Sequence, residues 1–197
     1  MGRAERSGTD SVLFGFWPHR LGQDDSVLSL VEVPFVDPRV QELVAEVQAH
    51  YVVLYGTPDE SPVDPREFEP PRGRFVIGID DRDGTLDHRD GEPVAMGGWR
   101  WRPDLTDRFG GDRVAEVKRM FVPPRERGRG HARRLLAFLE ESARTDGVER
   151  LVLETGLVQP EAIALYEATG YTPVEPFGHY ADSPLVRCFG KDLRDLE

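Results

Sequence analysis

Cysteine is nearly absent: Cys188 is the single example in 197 residues. A lone thiol excludes an internal disulfide framework and fits a reducing compartment, so a cytoplasmic protein is expected. Long hydrophobic runs are also missing. No apolar stretch approaches the roughly 20 residues that span a membrane, and the apolar segment from Val12 to Trp17 is too short for a secretory signal. Positive charge is scarce. Lys and Arg number 25 against 36 Asp and Glu, a net charge of −11, which argues against nucleic acid as a partner. The five histidines are scattered, and Asp81, Asp83 and Asp87 fall short of the calcium-loop pattern, so no metal site is read. What remains is 39% hydrophobic and 31% charged, enough for one substantial core.

Composition divides the chain in two. Residues 1–26 mix Gly, Asp, Ser and Arg around V-L-F-G-F-W and read as an N-terminal extension, whose Phe14, Phe16 and Trp17 suggest docking. Residues 27–197 carry regular patterns and form the folded domain. A strand over 28–33 leads to Asp37-Pro38, an N-cap followed by proline at the first helical position. Val40, Leu43, Val44, Val47, Tyr51, Leu54 and Tyr55 then keep helical spacing until Gly56 and Pro58. Five prolines over 57–73 make a loop with room for one short helix. Strands are predicted over 74–80 and 94–101, joined by a polar hairpin. They place Phe75, Ile77 and Ile79 on one face and Trp99 and Trp101 on another. Residues 103–113 read as turns. Further strands are predicted over 115–122, 151–155, 171–174 and 185–191. Helices follow Gly130 and Pro160 and stop at Gly147 and Gly170. Glu140 and Arg144 stand in the favourable i, i+4 order. Strands and helices alternate irregularly, as in a mixed α/β sheet with hairpins and crossovers.

One stretch departs from the acidic background. From Arg125 to Arg134 five arginines face one glutamate, so ten residues carry +4 and the rest −15. The segment V-P-P-R-E-R-G-R-G-H-A-R-R-L-L links a strand to a helix. Ala132, Leu135, Leu136, Leu139 and Ala143 lie on one face of that helix. Strand, glycine turn and helix together aim unpaired backbone N–H groups at an anion, and the helix dipole adds positive potential. A dinucleotide fingerprint is excluded, because Arg133 replaces the third glycine, and a Walker A loop lacks its G-K-[ST].

The pattern that fits is [Q/R]-x-x-G-x-[G/A], here Arg125 to Gly130, preceded by A-E-V-K-R-M-F-V and followed by A-L-Y-E-A-T-G-Y. These motifs, in this order and separation, closely resemble the GNAT superfamily of N-acetyltransferases from Leu28 to Leu193, and the P-F-G-H-Y…C-F-G-K-D-L ending is similar to a bacterial branch. The resemblance implies an α/β fold whose mostly antiparallel sheet splays between its fourth and fifth strands. It implies acetyl-CoA as cosubstrate, with pantetheine added to the sheet edge through the backbones of Met120, Phe121 and Val122. The pyrophosphate would rest on the amides of Arg127, Gly128, Arg129, Gly130, His131 and Ala132. Gln159 stands where many members carry an asparagine that bonds the pantetheine arm. Tyr166 matches the helix tyrosine used as general acid, and Glu116 the strand glutamate used as base, with Glu32, Glu154 and His179 as other candidates.

The function so implied is direct acetyl transfer to a primary amine of a small molecule or peptide. The alternative is a catalytically silent module that binds or senses acyl-CoA. Tyr51, Tyr55, Trp99, Trp101, His179 and Tyr180 are candidates to line the acceptor pocket, and the acidic background favours a cationic acceptor. Dimerisation is common in the family, so a homodimer is among the expected partners. Direct attack by the amine needs no nucleophilic cysteine.

Overall fold

A computed structural model of the chain describes residues 27–81, 91–110 and 113–194. The expected N-terminal extension and the tip of the polar hairpin lie outside the described residues.

Seven strands form one sheet in the order β1-β2-β3-β4-β5-β7-β6. They are β1 (Val27–Glu32), β2 (Gly73–Asp81), β3 (Pro93–Trp101), β4 (Val114–Phe121), β5 (Arg150–Gly156), β6 (Thr172–Pro173) and β7 (Val186–Asp192). All neighbours are antiparallel except β4 and β5. That parallel pair requires a crossover, and helix α3 (His131–Thr145) supplies it. The other helices are α1 (Pro38–Tyr55), the short α2 (Thr106–Phe109) and α4 (Pro160–Ala168). Helix α1 starts as the sequence requires. The Asp37 carboxylate accepts from the Arg39 N–H at 2.9 Å, and Gly56 closes the other end with φ 82°.

The sheet is covered on both faces. On one, Leu135, Leu136 and Leu139 of α3 pack with Tyr166 of α4 against Trp99, Val117, Leu151 and Phe189. On the other, Val40, Leu43 and Val47 of α1 meet Phe75, Ile77, Ile79 and Met96. The alternation in β2 and β3 thus divides as predicted, and Trp99 meets Trp101 edge-on at 6.1 Å. The turn-rich stretch holds more than turns. A 3-10 turn at Pro103–Leu105 runs into α2, and Leu105 and Phe109 bury against Val152, Phe177 and Cys188. Four residues are too few for helical periodicity to register in sequence.

The expected Glu140–Arg144 pair is replaced. Glu140 lies on the buried side of α3 and takes Lys191 of β7 at 2.8 Å, while Arg144 turns to Glu141 at 2.7 Å. A partner offered by the sheet outcompetes an exposed i, i+4 contact, which contributes only about 0.3–0.5 kcal/mol.

One irregularity shapes the centre. Met96 pairs with Phe121 and Gly98 with Lys118, so Arg119 and Met120 together face Gly97. Arg119 takes φ 61°, the non-glycine residue with positive φ among those described. This bulge bends β4. Pairing of β4 with β5 covers Val114–Val117 against Arg150–Leu153, and beyond Val117 the strands separate. Truncating the core that holds α3 beneath this opening should be costly. Leu136→Ala is expected to lose about 2–5 kcal/mol in urea unfolding, without loss of the far-ultraviolet circular dichroism of the native state.

Candidate active site

The basic loop sits where β4 leaves β5. After Phe121 the chain makes a 3-10 turn at Pro124–Glu126, passes Gly128 (φ 80°) and Gly130 (φ 77°), and enters α3. No atom lies within 4 Å of a Cβ built on either glycine. Glycine is therefore required there by the left-handed backbone rather than by crowding. The first helical bond runs from Arg134 N–H to Gly130 C=O at 3.1 Å. The N–H groups of His131, Ala132 and Arg133 precede it and have no partner within the helix. Arg127 behaves differently from expectation. Its amide turns back to Pro124 C=O at 3.4 Å, and its side chain bonds the Val122 C=O at 3.2 Å. Two other arginines are already paired, Arg125 with Glu46 and Glu92, and Arg129 with Glu126 and Asp80. The amides, more than the guanidinium groups, are free to face an anion.

Beside the loop, the separated edges of β4 and β5 leave the backbone from Lys118 to Phe121 without a β5 neighbour. Tyr55 of α1 lies over Gly156, in the part of β5 that β4 does not pair with. Gln159, the residue that caps α4, donates through Nε2 to the Tyr55 hydroxyl at 2.8 Å. Gly156 admits this contact, since a Cβ there would lie 1.7 Å from the Tyr55 hydroxyl. Tyr166 is buried against Tyr171 and Phe189, at ring distances of 5.7 and 6.1 Å. Burial raises its pKa, so the phenol keeps its proton at neutral pH.

Beside β4 and β5 lies a cleft of about 890 Å³, lined in part by Arg100, Arg102, Lys118, Glu154 and His179. Beneath it lies Glu116, 1% exposed. Arg100 donates to it at 3.0 and 2.9 Å, Arg102 at 2.5 Å and Lys118 at 3.0 Å. Burial alone would raise its pKa, but the charges of Lys118, Arg100 and Arg102 outweigh burial and hold it below the usual glutamate value. A carboxylate so held is a poor proton acceptor. Glu154 on β5 is the opposite case. Burial pushes its pKa up, Glu116 adds to the rise, and Lys118, 3.4 Å away, opposes it only in part. Of the six aromatic candidates, Trp101 and His179 line the cleft. Trp99 faces α3 and bonds Ser142 at 3.1 Å.

The sequence profile described as the "Acetyltransferase (GNAT) family" matches residues 40–171. The chain belongs to the GNAT family. It is 36% identical over 162 residues to a protein of Azospirillum brasilense named IAA acetyltransferase, a match covering 82% of this chain and 95% of that one. A Klebsiella pneumoniae structure, provisionally described as an acyl-CoA N-acyltransferase, superposes with a TM-score of 0.65 at 26% identity, covering 84% of this chain and 97% of the other. An acetyltransferase from Thermus thermophilus shares the fold at 22% identity, with a TM-score of 0.56 and coverage of 84% and 96%. The GNAT sheet, splayed after the fourth strand, is thus the expected one, and the protein is an N-acetyltransferase.

Several residues of this GNAT site carry no sequence signal. Asp59 receives the Tyr180 hydroxyl at 2.8 Å and the Ser61 N–H at 2.8 Å, and pairs with Arg119 of the bulge at 2.9 Å. It thereby ties the loop after α1 to β4 and to the loop before β7. Tyr55 was legible as a helix residue, but its position over Gly156 was not. The ion cluster yields a sign-defined test. Glu116→Gln leaves three cations around a neutral amide and should cost about 3–5 kcal/mol in chemical unfolding at pH 7. Because the folded pKa is depressed, the stabilisation is complete above the ordinary value of 4.5 and is lost as pH falls through the folded value. Wild type and variant should therefore converge in stability towards strong acid.

Proposed function

We propose that the protein transfers the acetyl group of acetyl-CoA directly to a primary amine of a small molecule or peptide. The observation that carries this reading is the adjacency of two features: amides at the start of α3 without helical partners, and a bulged β4 edge that β5 abandons. The first suits a pyrophosphate, in the main through Gly128 to Ala132. The second suits an extended amide-bearing chain that adds to the strand at Met120 and Phe121. Both belong to one cosubstrate. The Tyr55–Gln159 bond lies at the end of β5 that β4 does not pair with, beside the edge the arm would join.

Two proton transfers set the rest of the assignment. An alkyl amine of pKa about 10.4 is mostly protonated at pH 7, and freeing it costs roughly 4–5 kcal/mol. Glu154 suits the role of base better than Glu116, because its pKa is raised and it lines the cleft, whereas Glu116 is held by three cations. A pair of carboxylates whose environments push their pKa values apart is a usual basis for assigning such roles. In the proposed step the amine nitrogen attacks the thioester carbonyl carbon and its proton passes to Glu154, directly or through water. The carbon–sulfur bond then breaks, and Tyr166 protonates the departing thiolate. Glu116 acts by holding Arg100, Arg102 and Lys118 in place.

The acceptor is bounded only by the cleft. Its walls carry Arg100, Arg102, Arg108 and Lys118 against Asp64, Glu67, Asp104 and Glu154. This balance removes the argument for a cationic acceptor from net charge. The name of the Azospirillum relative, IAA acetyltransferase, adds IAA to the acceptors to be screened.

Calorimetry should find micromolar binding of both acetyl-CoA and CoA and little of ATP, and a preference for ATP would overturn the reading. With an acceptor identified by release of the CoA thiol, Glu154→Gln should lower kcat by about 10²–10⁴-fold. The base works deprotonated, so the wild-type rate should rise with pH through a pKa above 4.5, and that limb should vanish in the variant. If Glu116→Gln removes the limb and Glu154→Gln does not, the assignment reverses. Tyr166→Phe should also lower kcat, with KM for acetyl-CoA little changed.

A further inference from the structure

Asp80, Glu126 and His131 come together from three separate places. Asp80 is the penultimate residue of β2, Glu126 ends the 3-10 turn, and His131 is the first residue of α3. One side-chain ligand atom from each lies within 4.8 Å of the other two. His131 is 1% exposed, and neither of its ring nitrogens has a hydrogen-bond partner. A neutral imidazole has one donor and one acceptor, and each buried group left unmade costs about 1–3 kcal/mol. The ring thus carries a loss that a ligand would repair, and it faces two carboxylates that are 2% and 12% exposed.

We propose that Asp80, Glu126 and His131 form a binding site for a divalent transition ion of the zinc class. The donor set of one imidazole nitrogen and two carboxylate oxygens is one that zinc takes readily. A point exists no more than about 2.8 Å from all three atoms, given their mutual separations. Zinc bonds of about 2.0–2.2 Å then need inward shifts of well under an ångström from each side chain. The competing cation is Arg129. Its Nη1 lies 2.6 Å from Glu126 and 3.4 Å from Asp80, and a single guanidinium spans both carboxylates. At 37% exposure it can swing into solvent, and the ion would take its place between the carboxylates while adding the bond to His131 that no guanidinium contact supplies here. The five histidines, read as scattered in sequence, hid this grouping because positions 80, 126 and 131 have no motif spacing. The proposal is independent of the acetyl-transfer assignment.

The test is metal titration of the full chain after chelator treatment, with Zn²⁺ followed by calorimetry and Co²⁺ by its visible absorption. One equivalent should bind with the cobalt spectrum of a low-coordinate nitrogen–oxygen site. His131→Leu, which fills the space and removes both unpaired nitrogens, should weaken binding by about tenfold or more. Glu126→Gln, at a less buried position, should do the same and serves as the reading if His131→Leu does not fold. Arg129→Ala should tighten binding, because it removes the competing cation. Zn²⁺ should raise the melting temperature of wild type and not of His131→Leu. No binding in the micromolar range, equal binding by wild type and both ligand variants, or weaker binding by Arg129→Ala would each overturn the proposal.

Discussion

Everything at the centre of this protein depends on β4 failing to stay paired with β5 beyond Val117. A parallel pair normally keeps neighbours for its full length, because unpaired backbone groups in a sheet interior are costly. Here the extra residue at Arg119–Met120 bends β4, and the pairing with Leu153 is the last. The backbone from Lys118 to Phe121 retains hydrogen-bonding capacity on one side. The Arg119–Asp59 ion pair at 2.9 Å ties the bulge to the loop after α1, so the irregular conformation is supported from outside the sheet. Such support is what a strained backbone needs in order to persist.

The same opening explains how one lysine can serve two carboxylates of opposite character. Glu116 and Glu154 lie on adjacent strands and both reach Lys118. Glu116 also collects Arg100 and Arg102, which hold its pKa down; Glu154 has no arginine contact among the described residues, and burial raises its pKa. A difference in partners between adjacent strands decides which of the two carboxylates is the stronger proton acceptor. The catalytic reading of the site follows from this difference in surroundings, since the two residue types are identical.

Much of the fold was legible in the sequence. Asp37-Pro38 fixed the start of α1, the leucine stripe fixed the buried face of α3, and the two positive-φ glycines fixed the turn between β4 and α3. These features are local: capping, periodicity and left-handed backbone depend on a few consecutive residues. The short α2 escaped because its helical signal spans a single turn. The Glu140–Arg144 pair was lost because Lys191, 51 residues beyond Glu140 in the chain, approaches across the sheet.

The sequence by itself determined the family, the course of the chain and the loop that can meet an anion, because each is written in contiguous residues. Only the tertiary structure decided that Glu116 is held by Arg100, Arg102 and Lys118, that Tyr55 lies over Gly156 and bonds Gln159, and that His131 faces Asp80 and Glu126. Proton affinity, access and coordination are set by neighbours that the fold brings within a few ångströms. No spacing along the chain specifies those distances.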